Sequence, residues 1–338
     1  MSNAATIAYY VGYLLLVLTA VSSVRAAWRY RDAHHLNILA FVLALVLLPQ
    51  LQLIPTVHAA LLLIQPYFLL RLVEHFRDVP RLLSMGALVA VAVGVAFAGI
   101  TGLSIASSPI SSSCFFSYIA LLEGYAAIAF STEARRKGGV TSKRLLFAAT
   151  GTWLFAAVFA LLILAQFLPD IGRFVILLRR LLVAAGLICY FLAFSTPRRL
   201  RASWQGAEQA KYLTDVAPLD PVERGRRAPD DLAFVGARSV GNAVTLVAVR
   251  DALQSPELRV RAASDPVLVG LHVRPADGVF GRVTRTLTPV SDRVSACEAE
   301  VVARVRPYGQ RVLAAPIATT TNNWGVVLVV QRHGSLFP

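Results

Sequence analysis

Cysteine is nearly absent from this sequence: Cys114, Cys189 and Cys297 are the only three in 338 residues. They are too few and too scattered for a disulfide framework or a zinc site, so neither is expected, and no metal is. Charge is scarce as well. Charged residues make up 15% of the chain against 56% hydrophobic ones, and the mean hydropathy is +0.61, too apolar for a water-soluble protein of this length. The class is an integral membrane protein, with the lipid bilayer as its first partner. Lysine occurs three times, at Lys137, Lys143 and Lys211, always outside the long apolar runs, which excludes a covalent retinal Schiff base. Haem between spans needs histidines facing each other inside the bilayer; only His58 lies near a span, so haem is not expected either. No basic residue precedes the first apolar run, so the N-terminus is not read as a cleavable signal peptide.

What the sequence does contain is seven apolar runs, at residues 5–24, 37–54, 57–73, 83–104, 113–131, 145–168 and 174–196. The last is uncharged except for Arg179 and Arg180 and stops against Pro197 and a basic cluster. At about 1.5 Å per residue it is long enough to cross about 30 Å of hydrocarbon. The connections alternate in charge. Those after the first, third and fifth runs are rich in arginine (Arg25, Arg29 and Arg31; Arg71, Arg77 and Arg81; Arg135 and Arg136), while those after the second and fourth carry no charge. Basic loops stay in the cytoplasm. The expectation is therefore seven crossings of a bacterial inner membrane, with the N-terminus outside and the C-terminal part inside. Net charge is +14, but 16 lysines and arginines stand against six acids in residues 1–200 and 17 against 13 beyond. The excess belongs to the membrane half, so nucleic acid is not an expected partner.

After residue 199 the character of the chain changes. Residues 200–213 read as a short helix, and residues 216–231, with Pro218, Pro221 and Pro229, read as a linker. Alternating short strands follow at 243–249, 258–264, 312–317 and 324–332, with turns at 254–257 and 319–323 and a glycine-bracketed turn opening a short helix near 276–287. The organisation expected is an all-α seven-helix transmembrane bundle over 1–199, a linker helix and proline-rich linker over 200–229, and a cytoplasmic α+β domain with an antiparallel sheet over 230–338.

The stretch with Gly278 and Gly281, followed by Ala315-Pro316, a polar turn and the strand Gly325 to Leu328, resembles a GAF domain. In that family the first two glycines form a pocket-side turn. The seven-span half leading into Pro197 is similar to the sensor region that precedes GAF or PAS domains in bacterial sensor histidine kinases. The resemblance implies a two-component sensor, homodimeric through its cytoplasmic part, with a long helix and kinase core expected after the final Ser-Leu-Phe; neither lies before Pro338. No catalytic motif of a histidine kinase is present. His75 stands in a sequence that approaches the phosphoacceptor pattern, but its arginine is two residues on instead of three, and it lies in a membrane loop.

The remaining candidates are polar residues within the spans. Glu123 falls in the middle of run five, and Arg179 and Arg180 lie about 10 Å into run seven by helix rise. Ionisable groups at such depth are costly and normally face the bundle interior or water. Both runs enter from outside, so their side chains lean outward and Glu123 leans toward the arginines. His58 and Gln65 share a face of run three, as do Arg179, Gly186 and Tyr190 on run seven. Two readings stay open: arginines snorkelling to headgroups beside a neutral, hydrogen-bonded Glu123, or an outward-opening pocket for a small ligand of unknown identity, with Glu123 and one arginine as counter-charges. The function expected is the input module of a transmembrane sensor; the alternative is a small-solute transporter or channel with a cytoplasmic regulatory domain.

Overall fold

The computed structural model of the chain describes residues 3–30, 33–50, 55–101, 109–136, 139–168, 172–216, 221–239, 243–250, 257–273, 278–293, 308–318 and 323–332. It divides into two compact units, residues 1–136 with 143–197 and residues 137–142 with 198–338. Each apolar run carries a helix: α1 (Asn3–Tyr30), α2 (Ala33–Leu47), α3 (Pro55–Glu74), α4 (Arg81–Thr101), α5 (Pro109–Arg136), α6 (Gly139–Phe167) and α7 (Gly172–Phe194). In hydrocarbon no water satisfies the backbone, and a helix meets all its own needs internally. Among the described residues, five helices are long and apolar enough to cross a membrane, α1, α3, α5, α6 and α7. The apolar stretches of the other two, His35–Leu47 and Arg81–Ala96, are shorter. The chain is thus a membrane protein, and of the seven expected spans five have helices that meet this length and apolarity among the described residues.

The distribution of side-chain size fits an apolar surrounding. Inward positions are often small, such as Ala20, Ala44, Ala126, Ala148, Ala184 and Ala193, while Leu14, Leu18, Val89, Leu121, Trp153 and Phe174 are exposed. Small residues let helices approach closely where lipid supplies no hydrophobic drive for association. Helix α1 packs on both α2 and α7, α2 on α3, and α3 on α4 and α5. At the α1 and α7 contact, a Cβ on Gly12 would lie 3.2 Å from the carbonyl oxygen of Ala184. Between α6 and α7, Gly151 and Gly186 allow another close approach, since a Cβ on Gly186 would lie 2.8 Å from the Phe155 ring.

The second unit contains α8 (Arg198–Val216), α9 (Pro221–Ser239), α10 (Gly278–Thr286) and six strands: β1 (Val244–Arg250), β2 (Leu258–Ala263), β3 (His272–Val273), β4 (Val290–Arg293), β5 (Tyr308–Ala318) and β6 (Asn323–Arg332). The sheet order is β3-β2-β1-β6-β5-β4, and every pairing is antiparallel. Alternation along β1 sends Val244, Leu246 and Ala248 into a core with Val279, Phe280 and Val283 of α10, while Val247 joins Ala233 of α9 on the other face. Each such side chain contributes about 1.5–3 kcal/mol on full burial. A bulge shifts the β1–β2 register between Val247 and Ala248, so Leu258 and Val260 face the α10 side but Ala262 faces α9.

The proline-rich linker expected up to residue 229 is corrected here. Residues 221–239 form one helix, with Pro221 in its first turn, where a missing N–H costs nothing, and Pro229 inside it. What holds it is the sheet: Ala233 and Ala237, one turn apart, are buried, and Gly236 sits where a Cβ would be 2.9 Å from Thr245 Cγ2. Of the expected turns, 319–322 and most of 254–257 lie outside the described residues, as does Cys297.

Candidate functional site

In the first unit a cavity of about 470 Å³ is lined by five helices and the turn after α2. Its polar lining is Thr6, Tyr9 and Tyr10 of α1, Gln65 of α3, and Arg179 and Arg180 of α7. Its apolar lining comes from leucines of α2, its turn and α3, from Phe155, Val158 and Phe159 of α6, and from Val183 of α7. Three of the six residues singled out in the sequence therefore meet around one space. Among the described residues no acidic side chain lines it.

Gln65 forms the link to a fourth. It is 1% exposed and donates from Nε2 to Oε1 of the fully buried Glu123 at 2.5 Å. The other carboxylate oxygen, Oε2, has no hydrogen-bond partner. Of the two readings open for Glu123, the hydrogen-bonded one is what the geometry has: among the described residues its partner is Gln65, and no arginine makes an ion pair with it. The reason is positional, because Gln65 of the adjoining α3 stands against Glu123 while the two arginines line the cavity.

Tyr190 is fully buried, with its hydroxyl 3.1 Å from Thr152 Oγ1. Its ring stacks on Phe155 at 5.4 Å and on Phe194 at 5.9 Å, and meets Phe41 edge-on at 5.2 Å. An aromatic row thus runs from Phe155, which lines the cavity, to Phe194, the last residue of α7. The sequence reading singled out Tyr190 but missed Phe155, since a phenylalanine in an apolar run carries no distinguishing signal. His58 lies apart from the cavity lining, its Nδ1 3.0 Å from the carbonyl oxygen of Leu48.

In the second unit, Gly278 opens α10 with a φ of +73°, a conformation glycine adopts without strain, and Gly281 is buried in the same helix. Their carbonyls accept from Arg282 at 3.4 Å and Arg285 at 3.1 Å, respectively. Among the described residues no group of three histidine, cysteine, aspartate or glutamate side chains could hold a metal ion.

No protein-family model and no curated protein matches the chain. Among solved structures, the crystal structure of the A. Aeolicus nlh2 GAF domain in an inactive state is similar to 38% of this chain over 82% of its own length. With a TM-score of 0.29 and 13% identity, that likeness is too slight to carry a fold or a function across.

Proposed function

We propose that this chain is the sensing part of a bacterial transmembrane receptor. Seven helices cross the plasma membrane, a small ligand occupies the cavity, and α7 relays its presence to a cytoplasmic GAF-like unit. The observation that carries the reading is the cavity itself: its two arginines stand on the helix that leads through Ser195, Thr196 and Pro197 into α8. Phe155 couples the cavity lining to Tyr190 and Phe194, so a ligand that displaces this ring bears on the end of α7. The residue before a proline is driven from helical geometry, which makes 195–197 a joint.

Seven crossings are supported by the direction of the helices. The cavity gathers the first halves of α1 and α7 and the last turns of α2 with the second half of α6. Ser113 near the start of α5 bonds Gln166 near the end of α6 at 2.9 Å, so α5 begins at the same end. That α1, α5 and α7 all start at one end supports returns across the layer by the helices between them. Loop charge then sets the orientation, N-terminus outside. Transport is the weaker reading, for no internal repeat is present in the sequence. The two-component assignment, with a histidine kinase as output, rests on the sequence resemblance alone.

Cysteine labelling tests the arrangement. In a background with Cys114, Cys189 and Cys297 replaced by serine, Ser107→Cys is expected to react with an impermeant maleimide on intact spheroplasts and Gly138→Cys only after permeabilisation. The reverse pattern overturns the reading.

A further inference from the structure

We propose that the cavity takes an amphipathic organic anion, its carboxylate or phosphate head held between Arg179 and Arg180 and its apolar body against Phe155, Phe159 and Val183. This deepens the sensor reading and rests on it for the cavity being a ligand site.

Two adjacent arginines line the cavity, and among the described residues neither has an ion-pair or hydrogen-bond partner. The carboxylate deepest in this unit, Glu123, is engaged by Gln65 and is not in the lining. The polar groups of α1 that share the lining with them are Thr6, Tyr9 and Tyr10, which are hydroxyls and not acids. Two like charges about 10 Å along α7 from its first residue, half-buried and, among the described residues, without an acid beside them, favour an anion from outside the chain. The guanidinium fork is shaped for the planar, bidentate acceptors of carboxylate and phosphate. The remainder of the lining decides what the anion is attached to. Leucine, phenylalanine and valine side chains offer nothing to a fully hydrated ion such as sulfate but cover an aliphatic or aromatic body. A volume of about 470 Å³ falls within the roughly 300–1,000 Å³ of sites that enclose a small organic molecule.

The same chemistry has two sources, a free amphiphile reaching the cavity from outside and the headgroup of an anionic lipid drawn in from the bilayer. Purified full-length protein in nanodiscs of phosphatidylcholine alone separates them. Decanoate, decanol and decyltrimethylammonium are titrated in turn while the thermal unfolding midpoint is followed, and the series is repeated with phosphatidylglycerol in the disc. For a free anion, decanoate raises the midpoint by roughly 5–10 °C at a hundredfold excess over its dissociation constant, and decanol and the cation do not. For a lipid anion, phosphatidylglycerol gives the rise and decanoate adds nothing to it. In either case Arg179→Gln with Arg180→Gln weakens the anion about ten- to a hundredfold or more, and Val183→Trp, which fills the cavity and keeps both arginines, removes the effect. Equal responses to decanoate and decanol, no response to either anion, or a response that survives Val183→Trp overturns the proposal. The wild-type arms decide it even if the double arginine variant does not fold. The labelling of Ser107→Cys and Gly138→Cys is independent of all these outcomes, so a failed anion site and a failed membrane topology are told apart.

Discussion

Arg144 of α6 donates from Nε to the carbonyl oxygen of Ala193 at 2.8 Å, and from Nη2 to that of Phe194 at 3.3 Å. The last carbonyls of a helix have no partner within it. Arg144 is 3% exposed, so a side chain from one helix supplies the final hydrogen bonds of another where water has little access. A cation at a helix C-terminus also meets the negative end of its dipole. The end of α7, from which any shift must pass into the joint at 195–197, is held by this clamp.

Arg144→Met removes both bonds and leaves two carbonyls without their donor. A loss of about 1.5–3 kcal/mol is expected, the range for hydrogen bonds involving a charged group. Thermal unfolding in nanodiscs measures it. Arg144→Lys keeps the charge but offers a single point of attachment in place of a fork, so it is expected to fall between the two. A Met variant as stable as the parent refutes the clamp.

Gln65 and Glu123 form one polar unit, and they respond unequally to change. Glu123→Gln leaves an amide oxygen for Gln65 to donate to, so the loss should stay below about 1 kcal/mol. Gln65→Leu strips a fully buried Glu123 of its bond and should cost about 1–3 kcal/mol. Combining Gln65→Leu with Glu123→Met is expected to cost less than the sum of the two single changes, because no polar group is left stranded. Glu123→Gln with Arg179→Gln should be additive. Strong coupling in that second cycle would restore the ion-pair reading that the sequence left open beside the hydrogen-bonded one.

Gly186→Ala tests the close approach of α6 and α7. The added methyl meets the Phe155 ring at 2.8 Å, and the ring is wedged against Tyr190, so overpacking of about 1–3 kcal/mol is expected. Trimming the ring in the same chain with Phe155→Leu should recover part of the loss in unfolding midpoint. No recovery would place the strain elsewhere.

Gly325→Ala addresses the second unit. Gly325 lies in β6 between Val249 and Ile317, and a Cβ there would come within 2.2 Å of the carbonyl oxygen of Ala248. Backbone cannot yield as a side chain does, so the central ladder must part locally, with about 2–3 kcal/mol lost. Hydrogen exchange of β1 and β6 amides in the full chain reads this directly. Exchange unchanged from the parent would mean the strands accommodate the methyl.

Much of this arrangement was legible because it follows from solvent. Seven apolar runs became seven helices since hydrocarbon permits little else, and β1, β2, β5 and β6 were read from alternation that burial on two faces enforces. The linker failed as a reading because Pro221, Gly225 and Pro229 argue locally against a helix, and only the sheet under Ala233 and Ala237 overrides them. Strands β3 and β4 escaped notice: the first has two residues, and the second, Val290–Arg293, is mostly polar. Of the site, charge in an apolar run made Glu123, Arg179, Arg180 and Gln65 visible. Which of them touch could not be read, since helix rise fixes depth and leaves rotation about the axis open. Phe155 and Arg144 were hidden, one by its ordinariness and the other by its place among loop arginines and lysines.

The first and last helices of the bundle are partners. Gly12 faces Ala184, and Ser22 shares a hydrogen bond with Ser195 across a separation of 173 residues. At about 5–20 residues per second of synthesis, α1 waits roughly 10–35 s in the membrane before its partner exists. During that time its groove at Gly12 is open to lipid or to the helices of other unfinished chains. Closure of the bundle, and of the cavity wall that α1 and α7 share, is therefore the final event of its assembly, and a chain arrested before the seventh helix would have no site at all.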